Sequence, residues 1–141
     1  MLVEPIHVAT IRGHQLRFFK TPNNDGRPDM PWHSHDDLIK CVGLGRNERR
    51  MMLRMCQNGP LKNAFRSVAT AEGVVVIAPH YVARALLECM GEKTPEVLRD
   101  VDTAYCMAGG EALKKLTGDM PFEAFIPWTK AALDRLPGAD P

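Results

Sequence analysis

The feature that most constrains this chain is the stretch Pro31-Trp32-His33-Ser34-His35-Asp36-Asp37-Leu38-Ile39-Lys40-Cys41-Val42-Gly43-Leu44, with the basic run Gly45-Arg46-Asn47-Glu48-Arg49-Arg50-Met51-Met52-Leu53-Arg54 directly behind it. Ser34 is a good N-cap, and Asp37 three residues on completes an acidic variant of the capping box. Leu38, Ile39 and Val42 supply the buried side of a short helix, and Gly43 and Gly45 stop it. A second helix is expected from about Asn47 to Gln57. Met52, Met55 and Cys56 form its inner stripe. Arg46, Arg50, Arg54 and Asn58 fall four apart and stack along one exposed side. Two helices about a glycine turn over 34–57 have the outline of a helix-turn-helix, in which one helix braces and the next is offered to a groove.

The rest of the chain supplies strands first and helices later. Residues 6–11 and 15–19 read as a hairpin about Arg12-Gly13-His14, with glycine providing positive φ. Residues 21–29, rich in proline, asparagine, aspartate and glycine, read as a loop. Phe65 to Ala71 and Gly73 to Ile77 make a second hairpin about Glu72-Gly73, and the β-branched Val74 to Ile77 suits a buried strand. Pro79 suits the first turn of a helix to about Met90. Further helices are expected at about Pro95 to Met107 and Phe122 to Leu136. Gly109-Gly110 and Gly118-Asp119 act as breaks, with a short turn between them. The fold class is therefore α+β, two β-hairpins packed with four or five helices. The expected organisation is a domain over 1–92 and a C-terminal helical segment over 93–141, with a single core as the alternative.

The 141 residues carry a net charge of only +1, unevenly spread. Residues 46–66 hold six basic residues against Glu48 alone, a balance of +5, while residues 88–123 hold eight acidic residues against four basic, a balance of −4. The middle of the chain suits phosphates and the C-terminal part would be repelled by them. Cys41, Cys56, Cys89 and Cys106 form no CxxC pair, which argues against a zinc ribbon or a dithiol redox site. Each lies among apolar residues, so buried free thiols are expected. No stretch approaches the ~20 apolar residues that cross a bilayer. The opening residues lack a basic and apolar leader pattern, so the expected location is the cytoplasm.

The order of parts resembles the Bro-N domain of baculovirus repeated-ORF proteins and phage antirepressors. The residues that carry the resemblance are Pro31-Trp32, Asp37-Leu38 five residues after the tryptophan, Val42-Gly43-Leu44 closing that helix, the basic second helix, and Glu72-Gly73-Val74 leading towards the next helix. It spans roughly residues 6–90. Leu38 stands where the family has valine, Val42 where it has leucine, Leu44 where it has an aromatic residue, and Gly73-Val74-Val75-Val76 replaces an aromatic-rich segment. The resemblance implies DNA binding and gene regulation, as a transcriptional regulator of the phage-antirepressor type.

The candidate nucleic-acid-binding residues are Arg46, Asn47, Arg49, Arg50, Arg54, Lys62 and Arg66. Arginine grips phosphate or guanine through two parallel hydrogen bonds, which lysine does not. Lys62 and Arg66 would extend the patch along the backbone. His33-x-His35-Asp36-Asp37 offers metal-ligand types, but His33 precedes the cap and His35 and Asp36 are expected to point outward, so no metal site and no cofactor are expected. None of the cysteines has the neighbours that lower a thiol pKa, and no enzyme activity is expected. Phe18, Phe19 and Trp32 are expected in the core or as a hydrophobic staple. Expected partners are DNA and a second copy of the chain, held through Val97, Leu98, Val101, Ala104, Phe122, Phe125, Ile126, Leu133 and Leu136. The alternative is a protein-interaction module without nucleic acid, an inhibitor or adaptor from a mobile element, working through its acidic C-terminal face.

Overall fold

The computed structural model describes residues 1–59, 61–90 and 95–135, apart from the side chains of Met55, Cys56, Cys89 and Met90. The chain forms β1 (His7–Ile11), β2 (His14–Phe19), β3 (Trp32–Ser34), α1 (His35–Val42), α2 (Arg46–Asn58), a 3-10 turn (Lys62–Ala64), β4 (Arg66–Thr70), β5 (Gly73–Ala78), α3 (His80–Met90), α4 (Pro95–Thr117) and α5 (Phe122–Leu133). This is an α+β fold. One antiparallel sheet runs in the order β1-β2-β3-β5-β4.

The first hairpin turns through Arg12 and Gly13, with φ of 52° and 80°. Ile11 lies opposite His14. Two positive φ values in a two-residue loop match the right-handed twist of the strands it joins. In the second hairpin Thr70 lies opposite Gly73, so the loop is Ala71-Glu72, one residue earlier than the sequence pattern placed it. The Thr70 hydroxyl donates to Gly73 O at 2.7 Å and accepts from the Glu72 N–H at 3.2 Å, which shifts the turn.

β3 joins the two hairpins. His33 pairs with Phe18 on one side and Ala78 on the other, and Trp32 pairs with Phe19. Three residues are too few to show a two-residue period, so only pairing reveals the strand. Trp32 sits with Phe19, Val75 and Ile77 in one apolar cluster, and Ile39 belongs to the other. Trp32 is therefore a core residue of the sheet and not a staple on Ile39. Its indole N–H donates to Asp29 at 2.9 Å.

The larger cluster holds Leu16, Phe18, Leu38, Ile39, Cys41 and Val42 together with Val101, Tyr105, Ala108 and Ala112. The last four come from α4 at helical spacing, and Val97, Leu98 and Ala104 pack against the same cluster. The core thus spans the expected 92/93 boundary, with these α4 residues packed into or against it. α4 also runs unbroken through Gly109-Gly110. A helical glycine costs about 1 kcal/mol relative to alanine. Burying side chains the size of Val101 and Tyr105 gains about 1.5–3 kcal/mol each, so tertiary packing outweighs the two glycines. α5 ends at Leu133, and Leu136 lies outside the described residues. Arg135 ties the end of α5 to the loop before β3, donating to Asp25 at 2.7 Å. Among the described residues, no helix is long and apolar enough to cross a membrane.

Candidate functional site

Three local devices position the two central helices. Ser34 caps α1, its hydroxyl accepting from the Asp37 N–H at 3.2 Å. Gly43 ends α1 with φ 82°, and its N–H reaches Ile39 O and Lys40 O at 3.2 and 3.0 Å. Arg12 donates from the β1–β2 turn to Cys41 O and Val42 O at 3.2 and 3.0 Å, placing a cation on the negative end of α1. A Cβ on Gly43 would also meet the Arg12 guanidinium at 3.2 Å.

Asp37 has a different role from the one its position in a capping box suggests. Its carboxylate accepts side-on from Arg17 Nε at 2.8 Å and Nη2 at 3.0 Å, and from the Arg17 backbone N–H at 3.1 Å. The Asp37 hydrogen bond raises the Arg17 pKa further above its ordinary value. The pair fixes the start of α1 against β2.

With α1 so placed, the first two turns of α2 face β5 across a cleft of about 440 Å³. Arg46, Arg49, Arg50 and Leu53 form one wall. Arg17, His35, Asp36 and Ile39 form the closed end, and Val74 to Val76 the opposite side. The wall follows i, i+3, i+4, i+7 spacing, which is one face of a helix. Of the residues singled out in the sequence, Arg46, Arg49 and Arg50 are brought together here. Arg54 is exposed one turn beyond, and Asn47 is exposed in the first turn. Lys62 and Arg66 are exposed but do not line the cleft. Arg66 folds back onto Asn63 O at 2.7 Å and Phe65 O at 3.1 Å.

Among the described residues, no ion pair or hydrogen bond engages the side chains of Arg46, Arg50 or Arg54. Arg49 Nε is buried with no partner among them. Asp36, the carboxylate at the cleft's end, pairs with Lys40 at 3.2 Å. The cleft therefore combines guanidinium groups that lack a carboxylate partner among the described residues with the aliphatic side chains of Ile39, Leu53 and Val75. Such a surface can hold an anion at its rim and a flat apolar group below. Arg17, Leu53 and Val74 were not legible as members of this site. A basic residue alternating with Leu16 and Phe18 was the one available signal for Arg17.

The two histidines before and at the start of α1 are both buried, which corrects the outward orientation expected for His35. His33 packs edge-on against Tyr105 at 5.7 Å, and His35 edge-on against Phe65 at 5.0 Å. Burial pushes the His33 pKa down to about 3, with His35 and His80 adding to the effect. Burial likewise takes His35 to about 4. Both are neutral at pH 7. Among the described residues, no three His, Cys, Asp or Glu stand where they could share a metal ion.

Cys41 is buried as expected, and burial pushes its thiol up to about 11. Cys106 is exposed, contrary to expectation, because it lies beside the core-facing Tyr105 on α4. The side chains of Cys56 and Cys89 lie outside the described residues. Arg84 pairs with Asp102 next to Cys106. No protein-family model, curated protein or solved structure matches this chain.

Proposed function

We propose that this protein is a DNA-binding transcriptional regulator of the phage-antirepressor type, with α1 as the bracing helix and α2 as the helix presented to DNA. The observation that carries the reading is the α2 wall itself. Arg46, Arg49 and Arg50 share one face, Arg54 extends it, and no carboxylate among the described residues neutralises Arg46, Arg50 or Arg54. In a merely solvated amphipathic helix such cations commonly meet acidic partners of the same chain. Here the acidic stretch lies on the C-terminal helices. Arg46 and Arg50 also sit near the N-terminus of α2, where the helix dipole favours an approaching anion. The resemblance to the Bro-N domain supports the same reading.

In this proposal Arg46, Arg50 and Arg54 contact phosphates, with Asn47 or Arg50 near base edges. Lys62 and Arg66 extend the contact along the backbone. A single small module binds weakly at physiological salt. A second copy would supply the remaining affinity through α5, whose Phe122, Ile126 and Leu133 lie on one face at 75%, 54% and 51% exposure. The test is a gel shift with a random-sequence DNA pool. Arg50→Glu with Arg54→Glu abolishes binding while circular dichroism stays unchanged, because both side chains are exposed. Undiminished binding by the double variant overturns the assignment of α2.

The same α5 face favours a second reading, a protein-interaction module without nucleic acid. Heparin retention separates the two. Salt-dependent retention supports the first, and passage without retention together with a light-scattering mass above that of one chain supports the second.

A further inference from the structure

Sharing no lining residue with the arginine cleft, a separate cavity of about 200 Å³ is lined in part by α4. Two observations set it apart from a packing gap. The first is the glycine pair Gly109-Gly110 in the middle of the 23-residue α4. Neither glycine has a left-handed backbone, and a Cβ built on either meets nothing within 4 Å. Packing and turn geometry therefore do not call for glycine at either position, although alanine favours the helix. Both glycines line the cavity, Gly109 half-buried and Gly110 exposed at its edge.

The second observation is polar. Tyr105 is buried, and its hydroxyl lies 3.2 Å from His80 Nδ1. His80 is stacked on the Tyr105 ring at 15° and lines the cavity. Burial, assisted by Arg84, lowers the His80 pKa, and burial raises that of Tyr105. Both groups are therefore neutral at pH 7. The tautomer that leaves no buried donor unmet has the Tyr105 hydroxyl donating to Nδ1 and the proton on Nε2. His80 is half-buried, and its Nε2–H, with no protein partner among the described residues, stays accessible from the surface. Phe18, Pro31 and Leu113 supply the apolar walls.

We propose that this cavity binds a small, uncharged aromatic compound bearing one hydrogen-bond acceptor. The ring would lie along the side-chain-free surface of Gly109-Gly110, and the acceptor would meet His80 Nε2–H. The volume admits one or two fused rings and excludes a nucleotide. A charged head is disfavoured, because no cation lines the cavity. The site is independent of the α2 cleft and of the function proposed for it.

The test titrates acetophenone, and ethylbenzene as its counterpart without the acceptor, into the full chain, read by amide and histidine-ring NMR. The expected result is saturable perturbation confined to Gly109, Gly110 and the His80 ring, with acetophenone at least fivefold tighter. Gly109→Leu removes binding of both compounds at unchanged circular dichroism. Should that variant fail to fold, His80→Phe keeps the ring and removes the donor, and the preference for acetophenone disappears. Absence of saturable shifts at millimolar acetophenone overturns the proposal. So does equal affinity for the two compounds, or a preference that survives in His80→Phe.

Discussion

Arg17 on β2 and Asp37 on α1 are joined by three hydrogen bonds of 2.8 to 3.1 Å, two from the guanidinium and one from the Arg17 backbone. Side-chain exposure is 13% for Arg17 and 5% for Asp37. A side-on pair this well enclosed holds α1 at one angle to the sheet, and α2 follows across the short Gly43–Gly45 turn. The shape of the arginine cleft thus depends on a pair twenty residues apart. Removing Asp37 leaves the enclosed Arg17 guanidinium to the exposed Glu72 carboxylate, 3.8 Å away. Asp37→Ala is expected to destabilise the fold by about 3 kcal/mol, read as a lowered urea midpoint. A replacement that restores volume on both sides, Arg17→Met with Asp37→Leu, is expected to recover most of that loss. An unchanged midpoint in Asp37→Ala would show that α1 is anchored elsewhere.

Helix α1 has its own test. Leu38 is fully buried and Ser34 caps the helix through the Asp37 N–H. Leu38→Ala is expected to cost about 2–5 kcal/mol and Ser34→Ala about 1 kcal/mol. Chemical denaturation measures both.

If α2 meets phosphates, its affinity carries a salt signature. Each neutralised phosphate contributes about −0.9 to the slope of log K against log salt on duplex DNA. Arg54→Ala is expected to reduce that slope by about one and to weaken binding evenly across sequences. Fluorescence anisotropy between 50 and 200 mM salt, concentrations over which such contacts weaken measurably, reads the change. A slope equal to that of the parent protein would exclude a phosphate contact at Arg54.

His33 links stability to pH. Its folded pKa, about 3, lies below the ordinary imidazole value of 6.5. The unfolded chain therefore binds the proton more readily, and protonation favours unfolding. His35, at about 4, acts in the same sense. Stability is fully present above pH 6.5 and declines as pH falls from there towards 4 and 3. His33→Phe keeps the edge-on contact with Tyr105 and removes two ring nitrogens that have no hydrogen-bond partner among the described residues. It is expected to leave stability at pH 7 equal or higher and to flatten its fall between pH 6.5 and 4. Thermal melts across that range decide it, and a profile as steep as the parent's would place the acid sensitivity elsewhere.

The glycine pair of α4 gives a fifth expectation. A Cβ on Gly110 meets nothing, and its backbone is helical. Gly110→Ala is expected to stabilise the protein by about 1 kcal/mol. A loss of stability instead would mean that the position is tighter than its surroundings show.

Local chemistry alone determined a good part of this protein. The α+β class, both hairpins, the Ser34 cap, the Gly43 stop and the exposure of Arg46, Arg50 and Arg54 follow from turn residues, capping and helical spacing. These signals act within a few residues of where they are read. The tertiary structure decided the rest. β3 exists because Trp32–Ser34 finds partners on both sides. α4 stays whole because Val101 and Tyr105 gain more by burial than two glycines cost. His35 turns inward because α1 starts against the sheet. Arg17 and Val74 reach the arginine wall from strands far apart in sequence. Spacing along one element names the residues of a helix face, but only packing between elements chooses what that face meets.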